Sequence, residues 1–208
     1  MPCEPGNIDT TTPTGLTENS TEFVRLRRAT PADAIAMGLI GSAAFLEAFT
    51  WLLPGQDILD FCTRSHNAEF YAKYLALPDT NITLAETATG APIGYAMLTA
   101  PDIPSIEVHA GDIELKRLYL FSRFRSLKTP VLDETGQVVA GLRTGQALMD
   151  AAVAEARAMG RTRLLLGTHA GNQRAIGFYH RNGFTEVGTR SFHVGSQICC
   201  DYILAKTL

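Results

Sequence analysis

The most regular hydrophobic pattern in the chain follows a glycine-flanked turn at residues 141–145. Apolar residues then recur at intervals of three and four, with neighbours that widen the stripe: Leu148, Met149, Ala152, Val153, Ala156 and Met159. Alanine, leucine, methionine and glutamate dominate the segment, so helix propensity agrees with the periodicity. Gly160 is placed to end the helix as a C-cap. The pattern predicts a loop followed by a helix.

A short apolar run and a second helical segment come next. The run 164–166, bounded by Gly167, is too brief for a free-standing helix and indicates a buried strand. The second helix is expected from about 172 to 182, where Gly183 stops it. Residues 186–192 and 198–206 then predict a closing antiparallel pair around Gly195.

The N-terminal half predicts one strand and then a helical region. Alternation over 23–27 predicts the strand, and Thr30 can cap a helix that begins at Pro31. That helix carries Ile35, Leu39 and Ala43 and is expected to run towards Trp51, with further helices at 56–65 and 67–77. Most of the region's aromatic residues are expected in the core: Phe45, Phe49, Trp51, Phe61, Phe70, Tyr71 and Tyr74.

Three strands are expected in the middle of the chain. Residues 82–86 and 93–98 predict a hairpin with a turn at Gly90, and 113–121 predict the strand at the centre of the sheet. Period-two alternation divides this central strand into two faces. One face is expected to carry Ile113, Leu115, Arg117 and Tyr119, and the other Glu114, Lys116, Leu118 and Leu120.

Two segments stand apart from this pattern. Residues 1–22 are polar and aperiodic, which predicts a disordered or loosely attached tail before a single domain at 23–208. Residues 126–140 predict an insertion that carries a small hairpin around Gly136. The insertion could flank a ligand site, reach a partner subunit or be inert, and since loops tolerate insertions cheaply we expect an inert one.

Composition narrows the class of protein. The chain has 208 residues, 46% hydrophobic and 19% charged, and its formal charge of −3 without a basic run argues against nucleic-acid binding. We expect no membrane span and no signal peptide. The four cysteines (Cys3, Cys62, Cys199 and Cys200) lack metal-ligand spacing, and we expect them reduced and buried in a cytosolic protein. Four histidines (His66, His109, His180 and His193) also show no ligand spacing, so no metal is expected.

The glycine-bearing loop gives the first hint of function. Such a loop at a helix start offers free backbone N–H groups and the positive end of the helix dipole to an anion. The segment resembles the acetyl-CoA-binding core of the GNAT superfamily of N-acetyltransferases. The family pattern N-x-x-A-x-x-F-Y-x-x-x-G-F is present in full, at Asn172, Ala175, Phe178, Tyr179, Gly183 and Phe184. The family's R/Q-x-x-G-x-G/A pattern is interrupted, with Arg143 at a glycine position and its first arginine displaced to Arg125.

The resemblance covers about 23–208 and implies both a fold and a set of ligand contacts. The fold is an α/β one with a mixed, mostly antiparallel sheet flanked by helices, whose N-terminal helices wall the acceptor site or simply cap the sheet. Acetyl-CoA would be the co-substrate. Its expected contacts are Leu118, Tyr119, Leu120, Arg125, Gly141, Leu142, Arg143, Thr144, Gly145, Asn172, Ala175 and Phe178. By their residue type alone, Arg143 could also point to solvent and Asn172 could be a helix cap.

The resemblance also implies the catalytic groups and the reaction. Tyr179 would protonate the leaving thiolate, and Glu114 would be the general base, directly or through water, unless it only pairs with Lys116. His169 is a further candidate, more often structural when it stands alone. The branch it resembles contains bacterial polyamine acetyltransferases, which favours a small amine acceptor over a protein N-terminus or lysine. A module that binds CoA without turnover is the alternative, and a homodimer is compatible with the sequence.

Overall fold

The computed structural model describes residues 22–139 and 143–208. Within these ranges one eight-stranded sheet has the order β5-β1-β2-β3-β4-β6-β8-β7. The strands are β1 Val24–Arg28, β2 Asn81–Thr87, β3 Pro92–Thr99, β4 Asp112–Leu120, β5 Val131–Leu132, β6 Arg163–His169, β7 Thr185–Val194 and β8 Gln197–Thr207. The helices are α1 Ala34–Phe49, α2 Gly55–Ser65, α3 Ala68–Leu75, α4 Ser122–Arg125, α5 Thr144–Ala158 and α6 Gln173–Arg181.

The predicted fold class is confirmed. Neighbouring strands are antiparallel except for β1 with β5 and β4 with β6, which are parallel. The sheet is covered on one face by α5, whose buried Leu148, Met149 and Ala152 belong to the main core. The other face is covered by α1 and α3, through Met37 and Tyr71. The predicted tail lies outside the described residues, apart from Glu22.

Helix α1 buries a different face from the one that Ile35 and Leu39 occupy. Ile35 and Leu39 are 66% and 68% exposed, whereas Met37, Ile40 and Phe45 are buried. Trp51 is 94% exposed and is an exception to the expectation that most of these aromatic residues lie in the core. The helical stretch Pro31–Phe49 has a mean hydropathy of 1.5 and could span a bilayer by length and composition, whereas no such segment was expected. Its buried face packs on the sheet.

A β-bulge in β4 overturns the predicted division of that strand into faces. Leu98 pairs with Leu115 but the preceding Met97 pairs with Arg117, so Lys116 is an extra residue. An extra residue moves everything after it to the opposite face. The main core therefore takes Ile113 and Leu115 before the bulge and Leu118 and Leu120 after it. The α1–α3 side takes Arg117 and Tyr119.

The predicted insertion adds a strand to the sheet. Val131 and Leu132 form β5, which pairs in parallel with Val24 and Arg25 of β1. The predicted hairpin is present, closed by a bridge between Leu132 and Val138 and turned at Gly136, which has φ 86°. Val131 is fully buried in the main core. The segment is therefore a structural edge of the sheet and more than a surface loop.

The closing strands separate the two adjacent cysteines, as strand alternation requires. Cys199 is buried in a cluster with Cys62, whereas Cys200 is exposed, so the expectation that every cysteine is buried is wrong for Cys200. Cys3 lies outside the described residues. The β7–β8 turn is held by Asp57 of α2, which accepts hydrogen bonds from Ser196 N at 3.1 Å and Ser196 Oγ at 3.0 Å.

Candidate functional site

A cleft opens where β4 and β6 separate. The two strands pair only at Asp112, Ile113 and Glu114 of β4, and no pairing is formed along the rest of β4 on that side in the described chain. The cleft has a volume of about 1120 Å³. Seven basic and four acidic side chains line it, a net formal charge of +3 in a chain whose total charge is −3. An anionic ligand is therefore favoured here.

The open edge of β4 presents backbone groups to the cleft. Phe121 N donates to Ile93 O of β3 at 3.1 Å. In an antiparallel ladder alternate residues face the same neighbour, so the N–H groups of Leu118 and Leu120 point away from β3. The carbonyl oxygen of Leu120 also points away from β3, because it accepts a hydrogen bond from Arg125 Nε at 2.9 Å. These N–H groups can pair with an extended ligand that lies along the strand.

The start of α5 lies at the same cleft. Arg143 is the N-cap without a side-chain cap bond, and the first helical bond runs from Ala147 N to Arg143 O. Within the described chain, the N–H groups of Thr144, Gly145 and Gln146 are thus available to an anion. The Oγ1 atom of Thr144 is buried and has no hydrogen-bond partner within the described chain. The predicted contacts Gly141 and Leu142 lie outside the described residues.

Basic side chains also line the cleft. Arg143 lines the cleft, as do Arg174 and Arg181 of α6, which the sequence-based prediction did not include. Arg125 also lines the cleft, but its Nε is held by Leu120 O and its Nη2 lies 3.1 Å from Glu47 Oε2. Burial lowers the pKa of Arg125, against the raising effect of Glu47. Its guanidinium therefore fixes the end of β4 to α1.

The intact family pattern lies on α6. Asn172 caps the helix, with Oδ1 accepting a hydrogen bond from Ala175 N at 3.2 Å, and Ala175, Phe178 and Tyr179 all line the cleft. The Tyr179 ring packs edge-on against Phe178 and Phe184. Burial raises the pKa of Tyr179 to about 12. The phenol therefore keeps its proton at neutral pH and can donate it.

Glu114 lies at the point where the strands separate. Its side chain is 2% exposed and lines the cleft. Glu114 Oε2 accepts a hydrogen bond from Asp102 N at 3.0 Å and lies 3.4 Å from Lys116 Nζ. The pairing with Lys116 that the residue type allowed is thus formed, at a residue that lines the cleft.

Aromatic side chains from the N-terminal helices wall the other end of the cleft. They are Phe45, Phe49, Phe61, Phe70 and Tyr74, joined by Phe192 of β7. His169 also lies here, edge-on to Phe49 at 5.6 Å, with Nδ1 accepting a hydrogen bond from Gly171 N.

Two further polar groups at this end were not predicted. Arg190 and Asp201 form an ion pair at 3.1 Å, and Gly167 leaves the room for Arg190, since a Cβ there would lie 2.6 Å from Arg190 Nη2. Arg117 lies over the ring of Phe70 at 4.3 Å. Strand alternation alone could not show that these side chains meet.

Across the described ranges no group of three or more histidine, cysteine, aspartate or glutamate side chains is placed to hold a metal ion.

Comparisons with known proteins agree with this geometry. Residues 138–184 match the model of a family described as "Acetyltransferase (GNAT) family". An uncharacterised N-acetyltransferase of Mycobacterium tuberculosis is 29% identical over 176 residues, which cover 85% of this chain and 98% of that protein.

Solved structures share the fold. PaiA N-acetyltransferase from Thermoplasma acidophilum, in complex with coenzyme A, has a TM-score of 0.68 at 19% identity, covering 89% of this chain and 99% of that one. Ribosomal-protein-alanine N-acetyltransferase from Brucella melitensis has a TM-score of 0.56 at 23% identity, covering 88% and 99%.

Proposed function

We propose, since the chain belongs to the GNAT superfamily of N-acetyltransferases, that it transfers the acetyl group of acetyl-CoA to a primary amine of a small molecule. The observation that carries this proposal is the open edge of β4, which lines the same cleft as the start of α5 and Tyr179. The amine attacks the thioester carbonyl directly, without an acyl-enzyme.

The lining of the cleft fits acetyl-CoA, which supplies the activated acyl group. The diphosphate would lie on the free N–H groups of Thr144 and Gly145, with Arg143 and Arg174 as charged partners. The pantetheine chain would pair with the edge at residues 118–120, beside Asn172. Ala175 and Phe178 would form the apolar floor. The fold shared with a coenzyme A complex supports this arrangement.

Three groups of this chain would carry the proton and charge movements. Glu114 accepts the proton of the attacking amine, directly or through water, and the N–H of Leu120 donates to the thioester oxygen as it gains charge. Tyr179 gives its proton to the departing thiolate. Positioning the two substrates can itself contribute ~7–11 kcal/mol to lowering the barrier, so modest acid–base help is sufficient.

The setting of the reaction is part of the proposal. We place the protein in the cytosol, supported by the free thiols of Cys62 and Cys199 in the core. We keep one domain at 23–208, a homodimer as an option for assembly, and no nucleic acid, membrane or metal among the partners. The alternatives are an acceptor on a protein N-terminus or lysine, and a module that binds CoA without turnover.

Steady-state CoA release, measured with acetyl-CoA and a broad panel of amines, tests the proposal. Tyr179→Phe keeps the ring packing and removes the proton, so kcat should fall by roughly 100-fold while acetyl-CoA binding in calorimetry stays at the wild-type level. Binding with no CoA release in either protein would favour the non-catalytic module. Wild-type and Tyr179→Phe rates that are equal would remove Tyr179 from the chemistry.

A further inference from the structure

Arg117 carries a positive charge that has no acidic partner in the described part of the chain. Its guanidinium lies 4.3 Å above the ring of Phe70 and 5.2 Å from that of Tyr71. The Nη1 atom is buried and has no hydrogen-bond partner among the described residues. No ion pair within residues 22–139 and 143–208 involves this arginine, although it lines the cleft.

The acidic residues of the cleft are already paired with other bases. Glu47 is paired with Arg125, and Asp201 with Arg190. Asp102 and Glu114 share Lys116. Burying a charge without a counter-charge is costly, and a buried N–H group without an acceptor adds to that cost. An anion from outside the chain, bound where Arg117 lines the cleft, would supply the missing counter-charge.

Arg117 is separate from the basic residues at the start of α5. The bulge at Lys116 turns Arg117 towards α3, where Phe70 and Tyr74 belong to the α1–α3 cluster. Helix α5 covers the opposite face of the sheet. An anion on Arg117 would therefore lie at the aromatic end of the cleft, three residues along β4 from Glu114.

We propose that the acceptor is a small amine that also carries a carboxylate, and that Arg117 binds this carboxylate while the amine faces Glu114. This inference rests on the proposed acetyl transfer and names its substrate class. A guanidinium presents paired N–H donors that match a carboxylate, and the ring of Phe70 beneath it holds the fork in place.

The position of Arg117 disfavours a polyamine, the acceptor class that the sequence resemblance favours. A polyamine brings several positive charges and no anion to the end of the cleft where Arg117 lies. Arg117 would repel it at the aromatic end, where the cation-binding face of Phe70 is already occupied. An amino acid offers one charge of each sign, which suits Glu114 and Arg117 together.

Matched substrate pairs test the proposal in the acetyl-transfer assay. Each pair holds an amino acid and the amine left by removing its carboxylate, and one pair holds an ω-amino acid and the diamine of the same carbon number. For the wild type we expect kcat/KM to favour the carboxylated member by roughly 10- to 100-fold, mainly through KM. In Arg117→Met that ratio should fall to about 1, whereas Arg117→Lys keeps part of it.

Controls separate recognition from folding. Arg157 is an exposed arginine in the last turn of α5, so Arg157→Met removes the same charge away from the cleft and should keep the wild-type ratio. Thermal unfolding checks that each variant is folded. If Arg117→Met does not fold, Arg117→Lys, which keeps the positive charge, takes its place in the comparison. The proposal would be overturned if the wild type acetylated diamines as well as amino acids. It would also be overturned if Arg117→Met kept the wild-type ratio of kcat/KM between the members of a pair.

Calorimetry with the same pairs distinguishes failure of this inference from failure of the proposed function. If wild type binds the carboxylated members through Arg117 but acetylates nothing, the substrate class stands and the transfer reaction is wrong. If uncarboxylated amines are acetylated best, the transfer stands and the role of Arg117 is wrong. If the amino acids are neither bound nor acetylated, the Arg117 proposal is wrong.

Discussion

Leu115 and Arg117 pair with consecutive residues of β3 although Lys116 lies between them in β4. This bulge sends Arg117 to the aromatic side of the sheet and returns Leu118 and Leu120 to the core side. It lies just beyond the last pairing of β4 with β6. The bulge therefore sets the face that Arg117 occupies, in the stretch of β4 that has no pairing on the β6 side within the described chain.

Gly145→Ala is expected to weaken acetyl-CoA binding by about 10-fold or more without loss of stability. A Cβ at Gly145 would lie 3.6 Å from Leu120 Cδ2, an ordinary contact, and alanine favours the helix by ~1 kcal/mol. The methyl group would instead crowd a phosphate held on the helix N–H groups. Calorimetry and thermal unfolding measure the two effects.

The matched control is Gly55→Ala, at the start of α2, where a Cβ meets nothing within 4 Å. It should bind acetyl-CoA as the wild type does. Equal affinities for Gly145→Ala and Gly55→Ala would show that no ligand approaches the start of α5 closely.

Two substitutions of Asn172 are expected to separate its cap from its ligand contact. Asn172→Asp keeps an oxygen for Ala175 N but loses the amide donor, so stability should be retained while acetyl-CoA affinity falls several-fold. Asn172→Ala should lose affinity and also ~1 kcal/mol of unfolding free energy. Denaturant unfolding and calorimetry on both variants check this. Wild-type affinity in Asn172→Asp would make Asn172 a cap alone.

The buried His66 is expected to destabilise the protein at acidic pH. Burial, with a smaller effect from Arg117, lowers the pKa of His66 to about 3, and its Nδ1 lies 2.8 Å from Tyr71 Oη. The unfolded chain thus binds a proton below about pH 6.5 that the folded one does not, so stability falls as pH falls from there towards about 3. Between about pH 7 and pH 4.5 this amounts to about 2.5 kcal/mol.

Denaturant unfolding at those two pH values measures the His66 contribution. His66→Gln should lose the tyrosine contact at both, but the difference in unfolding free energy between them should shrink by about 2.5 kcal/mol. His193→Gln, on the exposed part of β7, controls for loss of a surface histidine. If the difference in unfolding free energy between the two pH values were as large in His66→Gln as in the wild type, that result would contradict a buried neutral imidazole.

Trp51, the single tryptophan, is expected to fluoresce like an indole in water at low protein concentration because its side chain is 94% exposed. Accessibility to a soluble quencher should be close to that of a free tryptophan derivative. A blue shift on raising the protein concentration would indicate that self-association covers this residue. A blue-shifted, protected emission at every concentration would contradict its exposed position.

Most helices and strands could be predicted from the sequence because the residues that define them are close together in the chain. The α5 stripe, the stops at Gly160 and Gly183 and the hairpin turn at Gly90 depend on neighbouring residues, and each of these glycines has a positive φ. The bulge at Lys116 could not be predicted, since a single extra residue leaves the alternation on each side intact. Strand β5 was missed as a sheet member because its partner, β1, is distant in the chain.

Some residues of the candidate site could likewise be predicted from the sequence and others could not. Tyr179, Asn172 and Glu114 were predicted from motif positions, and the structure places all of them on one cleft. Arg174 and Arg181 follow helical spacing that is also typical of a solvated face, so nothing in their pattern pointed inward. Arg117 depends on the bulge, and the Arg190–Asp201 pair on packing across strands.

The most direct test of the account is a crystal structure of the protein with acetyl-CoA bound. We expect the diphosphate on the N–H groups at the start of α5, the pantetheine chain along residues 118–120, and the sulfur within hydrogen-bonding distance of Tyr179 Oη. A structure in which the ligand lies elsewhere, or in which the phenol turns away from the sulfur, would contradict acetyl transfer at this cleft.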